Sequence, residues 1–347
     1  MLLAFMRNYD KNRLNASVAV PTGAALKPAL ADMGLTIYEI DGLAEKSFSV
    51  ETVKKLSNII EIAKPDIVHA HASLSARVAG RLRGAKVVYT RHSVFPNRPA
   101  LTVFPGKLAA GAVNNLLADK IVAVSPAAME NIVETGVDAR KVVVVYNGVD
   151  AIPALNDDER RAVRGEHGIG QGFACGIFAR LTAVKGHKYI LDAAARLTDV
   201  HFVIAGEGEA GGLIRERLLR EQLTNVTMTG FLREPAKVMA AMDVQLNASY
   251  GTEATSLALL EGMSAGIPAV VSSFGGNPYV IRDGQNGFVV PQKDGAAMAN
   301  AILRLKNDPV LYQKMTINAK KIYNERFTAE TMTRNLENVY FLLKSGR

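Results

Sequence analysis

Cysteine is nearly absent. The 347 residues hold one, Cys175, so no disulfide can form within a chain, which fits a reducing cytoplasm. It lies in the apolar run Gly172-Phe173-Ala174-Cys175-Gly176-Ile177-Phe178 with no base near it in sequence, and reads as a buried, inert thiol. No apolar run approaches the roughly 18 residues of a membrane span. The opening Met1-Leu2-Leu3-Ala4-Phe5-Met6 is too short for a signal-peptide core and runs into Arg7, Asp10, Lys11 and Arg13. The expectation is a cytoplasmic protein, soluble or held peripherally at the inner face of the cell membrane. No two aspartates are spaced D-x-D, so a common Mg²⁺ or Mn²⁺ handle is missing. There is no G-x-x-x-x-G-K-[ST] loop and no G-x-S-x-G elbow. Zinc-finger spacing and basic runs interleaved with aromatics are also missing, which argues against nucleic acid. The net charge of +8 then points to a phosphorylated substrate or an anionic membrane surface. Basic residues Arg77, Arg81, Arg83, Lys86, Arg91, Arg98 and Lys107 crowd the first half and offer such a contact, with a solvated basic face as the plain alternative.

What the chain does have is a regular alternation. Strand candidates at 17–20, 35–40, 66–70, 86–90, 120–124 and 142–145 are separated by helical stretches such as 50–63 and 72–83. The second half repeats the plan at 173–179, 201–205, 226–229, 244–247, 269–272 and 287–290. This is the pattern of right-handed βαβ units, with parallel sheets covered on both faces. Length and pattern predict an α/β protein of two doubly wound, Rossmann-like domains facing a cleft at their strand ends. The expected boundaries are 1–150, a linker at 151–172 marked by a charged run and four glycines, and 173–327. The chain opens in a helical pattern at 2–9 and reaches a strand only near Ser17. A doubly wound domain ordinarily opens on a strand, so one strand and one loop are expected upstream of Met1.

Four constellations carry chemistry. The first is Glu253-Ala254-Thr255-Ser256-Leu257-Ala258-Leu259-Leu260-Glu261, an E-x7-E segment. A helix starting near Thr255 would turn its free amides and the hydroxyls of Thr255 and Ser256 toward a phosphate. Glu253 would lie beside whatever the phosphate carries. Glu261, about 12 Å further by helical rise, could accept both hydroxyls of a ribose. The second is Arg180-Leu181-Thr182-Ala183-Val184-Lys185-Gly186 at a strand end, where a forked guanidinium and a mobile ammonium suit a diphosphate. A solvated turn is its plain alternative. The third is Gly206-Glu207-Gly208-Glu209-Ala210-Gly211, a G-x-G-x-x-G run between strand and helix. A nicotinamide site would require an acid at the end of the next strand, and Gly230-Phe231-Leu232 stands there instead, so a tight turn beside a nucleotide is the better reading. The fourth is the histidines. His69 and His71 share a strand face, but no third ligand has zinc spacing. His92, ending a strand, is placed either to touch a substrate or to bond backbone.

Together these residues resemble a retaining glycosyltransferase of the GT-B fold, in the glycogen-synthase-like and mannosyltransferase-like family four. The resemblance runs from about Ser17 through Thr90-Arg91-His92, Ala118 to Ser125, Asn147-Gly148-Val149-Asp150, Arg180 with Lys185-Gly186, Gly206-Glu207-Gly208, the E-x7-E segment and Gly275-Gly276. It implies that Glu253 lies at the donor sugar and the reacting centre and that Glu261 holds the ribose. Arg180 and Lys185 would bind the leaving diphosphate, with no metal and no cofactor. His92 would lie near the donor sugar on the acceptor side, and the backbone of Phe231 and Leu232 would flank the base. The last helix, about 328–347, would cross back onto the first domain. The donor implied is a nucleoside-diphosphate sugar and the acceptor a glycan or a lipid-linked sugar. Ala254-Thr255-Ser256 departs from the family's usual Gly-Phe-Gly, and Tyr279 stands where a Glu is common. Two rivals fit the same residues: an inactive sugar-nucleotide binder, and a GT-B-fold sugar-nucleotide epimerase.

Overall fold

A computed structural model describes residues 1–43, 45–94 and 96–345. The chain folds as two compact units, Met1–Gly148 with Ala329–Arg347, and Val149–Thr328. The strands in chain order are β1 (Ser17–Pro21), β2 (Thr36–Ile40), β3 (Ile67–His71), β4 (Lys86–Arg91), β5 (Lys120–Ala123), β6 (Val142–Val144), β7 (Ala174–Phe178), β8 (His201–Ala205), β9 (Val226–Gly230), β10 (Val244–Asn247), β11 (Ala269–Ser272) and β12 (Gly287–Val290).

In the second unit all six strands are parallel, in the order β12-β11-β10-β7-β8-β9. Their near-continuous apolar runs follow from burial on both faces. On β8, Phe202 and Ile204 enter one core cluster and Val203 the other, the period-two alternation of a strand. Cys175 lies fully buried in the first of these clusters, and desolvation pushes its thiol well above the usual range. The chain runs outward from β7 through β8 to β9, then returns to lay β10 on the other side of β7. Strand order therefore reverses between β7 and β10, the place where open α/β sheets form a ligand crevice.

The first unit differs in one respect from a single doubly wound sheet. Its parallel strands form a four-stranded sheet, β3-β4-β5-β6, and a separate pair, β1-β2. Both contribute to one core: Val18 and Val20 from β1, with Val88 and Val122 from the larger sheet. The helices Leu2–Asn8 and Ala329–Lys344 close that core through Phe5, Met332, Leu336 and Tyr340. The last two positions of the expected 328–347 helix lie outside the described residues.

Segment 151–172 is not a bare connection. Its charged run forms the helix Asp157–Glu166, opened by a capping box between Asn156 and Glu159. Asp157, Asp158 and Glu159 crowd the first turn, where the helix dipole favours acids. Arg164 is buried and clamps the segment to the second unit: its Nη2 donates to Asp243 Oδ2 at 2.7 Å and its Nε to the Ala241 carbonyl at 2.8 Å.

Candidate active site

The chemistry-bearing residues of the second unit gather at the C-terminal ends of β7, β8, β10 and β11. After β7 the chain passes Arg180 and makes a 3-10 turn, Ala183–Lys185, ending on Gly186. Gly186 has a left-handed φ of 72°, and a Cβ there would stand 2.1 Å from the Ala248 carbonyl oxygen. Only glycine lets this turn approach the loop after β10 so closely. That approach brings Lys185 to Glu253, whose Oε2 accepts from Lys185 Nζ at 2.8 Å.

Glu253 is 6% exposed. The same oxygen also accepts from Asn247 Nδ2 at 3.0 Å and Ser249 Oγ at 3.1 Å. A buried carboxylate is tolerable only with such compensation. Behind it lies a second layer: Asn247 Oδ1 accepts from the Ser249 amide at 3.0 Å and from Asn277 Nδ2 at 3.3 Å. Asn277 itself is 1% exposed and donates to the Ser272 carbonyl. Gly275, with φ of 56°, lets its turn lie against the Glu253 carbonyl, which accepts from the Gly276 amide at 3.0 Å. The acid is thus held from its side chain and from its backbone.

Asn247, Ser249 and Asn277 were not singled out from sequence. Short polar residues at the end of an apolar strand are their signal, and Asn277 reaches the group through Asn247, thirty residues away in the chain. The E-x7-E helix also starts later than expected, at Leu257–Ser264. Ser256 is its N-cap, accepting from the Leu259 amide, and the Thr255 hydroxyl donates to the Ala254 carbonyl at 2.8 Å. The residues from Glu253 to Ser256 are not helical, so the 12 Å helical rise between the two acids does not apply. Glu261 stands in the second turn of the helix, half-buried, and that burial raises its carboxyl above the ordinary value.

Arg180 is exposed, with no ion-pair partner among the described residues. The Gly206-Glu207-Gly208 turn is what holds its segment. A Cβ on Gly206 would lie 2.1 Å from the Ala179 carbonyl oxygen, and one on Gly208 2.4 Å from that of Leu181. The Leu181 amide donates to the Glu207 carbonyl at 2.9 Å. These glycines serve backbone-to-backbone contact between the turns after β7 and β8. Phe231 and Leu232 follow the edge strand β9; Phe231 is exposed, while Leu232 packs against the cluster around Met242.

In the first unit, His69, His71 and His92 form a column. His69 stacks on His71 with ring centroids 4.4 Å apart, and His71 on His92 at 5.1 Å. His71 Nδ1 lies 2.8 Å from His92 Nε2, and His69 Nε2 lies 2.6 Å from Thr90 Oγ1. Burial pushes His71 down to about 3, helped by the neighbouring His92, and burial pushes His92 down to about 4. The column is therefore neutral at ordinary pH. Among the described residues no three metal-ligating side chains are grouped to hold an ion.

The basic residues of the first half do not make one free face. Arg77 is buried, its Nη1 donating to Asn114 at 2.8 Å and its guanidinium lying 4.3 Å over the Tyr89 ring. Arg81 pairs with Asp119 and Arg83 with Glu61. Among the described residues no helix is long and apolar enough to cross a membrane.

The second unit thus carries a lysine–glutamate pair at the strand-order reversal of a parallel α/β sheet, and family models identify the class of enzyme. Residues 172–308 match the family described as Glycosyl transferases group 1, and residues 8–151 match Glycosyltransferase Family 4. The chain is a glycosyltransferase, family-four-like, with the GT-B type of fold. It is 28% identical over 307 residues to the putative glycosyltransferase EpsD of Bacillus subtilis, covering 80% of this chain and 78% of that one. It is 27% identical over 309 residues to the UDP-Gal:alpha-D-GlcNAc-diphosphoundecaprenol alpha-1,3-galactosyltransferase of Escherichia coli, covering 81% and 77%. Among solved structures, Anabaena Alr3699/HepE in complex with UDP and glucose superposes with a TM-score of 0.83 at 21% identity, over 98% of this chain and 94% of that one.

Proposed function

We propose that the enzyme transfers a sugar from a nucleoside-diphosphate donor to a glycan or lipid-linked acceptor, with retention at the anomeric carbon and without a metal. The observation that carries this reading is the pairing of Lys185 with the buried Glu253 at the reversal between β7 and β10. A uridine diphosphate bound in the related HepE structure and the UDP-galactose donor of the Escherichia coli relative support the donor class.

In this reading the diphosphate lies over the ends of β7 and β10. Arg180 and Lys185 take its charge as it leaves, the role a metal would otherwise fill. Glu253 lies at the donor sugar and at the same time fixes the Lys185 ammonium. Glu261 accepts the ribose hydroxyls, and the backbone at Phe231 and Leu232 flanks the base. The acceptor hydroxyl attacks the anomeric carbon from the face the diphosphate vacates. The C–O bond to phosphate breaks, the new glycosidic bond forms on the same face, and a phosphate oxygen takes the hydroxyl proton. His92, kept neutral by burial, is assigned in this reading to the acceptor. Screening several sugar nucleotides for donor hydrolysis in EDTA, then following the anomeric proton of the product by NMR, tests the reading. Turnover in EDTA with an unchanged anomeric configuration is expected. Metal-dependent turnover or an inverted product contradicts it.

A further inference from the structure

The histidine column repeats one diagonal contact across two neighbouring strands. In the parallel pair β3–β4, His69 stands opposite Val88 and His71 opposite Thr90. His69 reaches Thr90 and His71 reaches His92, each the residue two places past its opposite number and on the same sheet face. Both nitrogens of His69 are taken, Nδ1 lying 2.5 Å from the Tyr340 hydroxyl and Nε2 2.6 Å from Thr90 Oγ1. His69 therefore supports His71 through its ring face, and His71 Nδ1 is left to His92. Among the described residues, His71 Nε2 and His92 Nδ1 have no hydrogen-bond partner.

The backbone that delivers His71 is strained. The next residue, Ala72, has a left-handed φ of 63°, a conformation that a residue with a Cβ rarely adopts. Ser47 holds it there: its Oγ donates to the Ala72 carbonyl at 3.1 Å and accepts from the Leu74 amide at 3.3 Å. Strain that is kept at a strand end, beside a side chain with a specific partner, points to the placement of that side chain.

One proton lies between the two rings, and its owner decides what His92 offers. Were His71 the donor, both rings would carry their protons on Nδ1; with His92 the donor, both carry them on Nε2. A neutral histidine side chain prefers the Nε2 proton, so the second arrangement leaves both rings in their ordinary form. Burial keeps both rings neutral, which makes the choice one of tautomer and not of charge. Resting on the assignment of His92 to the acceptor in the proposed mechanism, we propose that His71 is a positioning residue for His92. It accepts the Nε2 proton of His92 and so fixes that ring with a bare Nδ1. The bare nitrogen accepts from a non-reacting hydroxyl of the acceptor, since the attacking hydroxyl gives its proton to phosphate.

The test is nuclear magnetic resonance of the full chain labelled with ¹⁵N-histidine, at about pH 7. Signals missing from His92→Phe are those of His92. In wild type His92 should be protonated on Nε2. In His71→Phe, checked for folding by circular dichroism, the two tautomers of His92 should mix. His71→Asn, whose Oδ1 accepts in place of the ring nitrogen, should restore the first. Kinetics use the UDP-sugar and p-nitrophenyl glycoside that turn over fastest. Acceptor kcat/KM should fall about tenfold in His71→Phe with donor KM kept, and recover in His71→Asn. His71→Phe/His92→Phe should be no slower than His92→Phe alone, because His71 acts through His92. A wild-type His92 protonated on Nδ1, an unchanged tautomer in His71→Phe, or losses that add in the double variant overturn the proposal. Wild-type turnover in His92→Phe would instead remove His92 from the acceptor in the proposed mechanism, and the spectrum would still decide the tautomer. The wild-type spectrum also decides it if His71→Phe misfolds.

Discussion

At the scale of single residues, the site is organised around one carboxylate oxygen. Glu253 Oε2 receives three donors from two stretches of chain, Lys185 from the turn after β7 and Asn247 and Ser249 from the end of β10. Asn247 has the most to lose, because its amide donates to Glu253 while its carbonyl accepts from Ser249 and Asn277. Asn247→Leu should lower kcat by about tenfold or more, since in the proposed mechanism the displaced acid and lysine both act on the transition state. It should also lower the melting temperature, because it leaves buried donors unpaired. Steady-state kinetics and a thermal melt check both; an unchanged kcat would show that the network is only structural. The cations and glycines are legible in the sequence because they stand in turns at strand ends, whereas the spacing of the two acids misstates their geometry, since the helix starts only at Leu257. Asn247, Ser249, Asn277 and the histidine column are not legible there, because their meaning lies in partners brought together by the fold.

At the scale of elements, the strands of the second unit were the most legible part. β8, β10, β11 and β12 occupy the stretches their apolar runs mark, since burial on both faces leaves little choice of composition. The helix Asp157–Glu166 looks like a connection in sequence because so much of it is charged; its signal is the Asn156 to Glu159 capping box. The two anchors of that helix should differ in worth. Asn156→Ala removes an exposed cap and should cost about 1 kcal/mol. Asp243→Ala strands the buried Arg164 and should cost about 3–5 kcal/mol. Urea unfolding of both variants tests the ordering, and equal losses would refute the clamp. The helix Gly106–Leu117 shows the limit of patterning: an amphipathic period is visible, but which face turns inward is set by Gly111, Asn114 and Asn115.

At the scale of the whole molecule, buried histidines tie stability to pH. His71 and His92 in the first unit are held at about 3 and 4, and His187 in the second at about 4, each mainly by burial. Free histidine titrates near 6.5, so below that pH the unfolded chain takes up protons that the folded chain refuses. Unfolding is then favoured by acid: the stability these groups contribute is complete above about pH 6.5 and is lost as pH falls toward their folded values. The slope should reach about 1.4 kcal/mol per pH unit for each histidine, and between about pH 5 and 6.5 it is largely separate from carboxylate titration. Urea unfolding in steps across that window should show stability rising with pH. A flat profile would mean that the column opens to water.

The proposed mechanism divides the labour between two acids on one segment, Glu253 at the reacting centre and Glu261 on the nucleoside. Steady-state kinetics of Glu253→Gln and Glu261→Ala with the same donor compare them directly. Loss of the Glu253 charge should lower kcat by about a hundredfold or more with little change in donor KM, and loss of Glu261 should raise donor KM with kcat largely kept. Near wild-type turnover in Glu253→Gln would contradict the account.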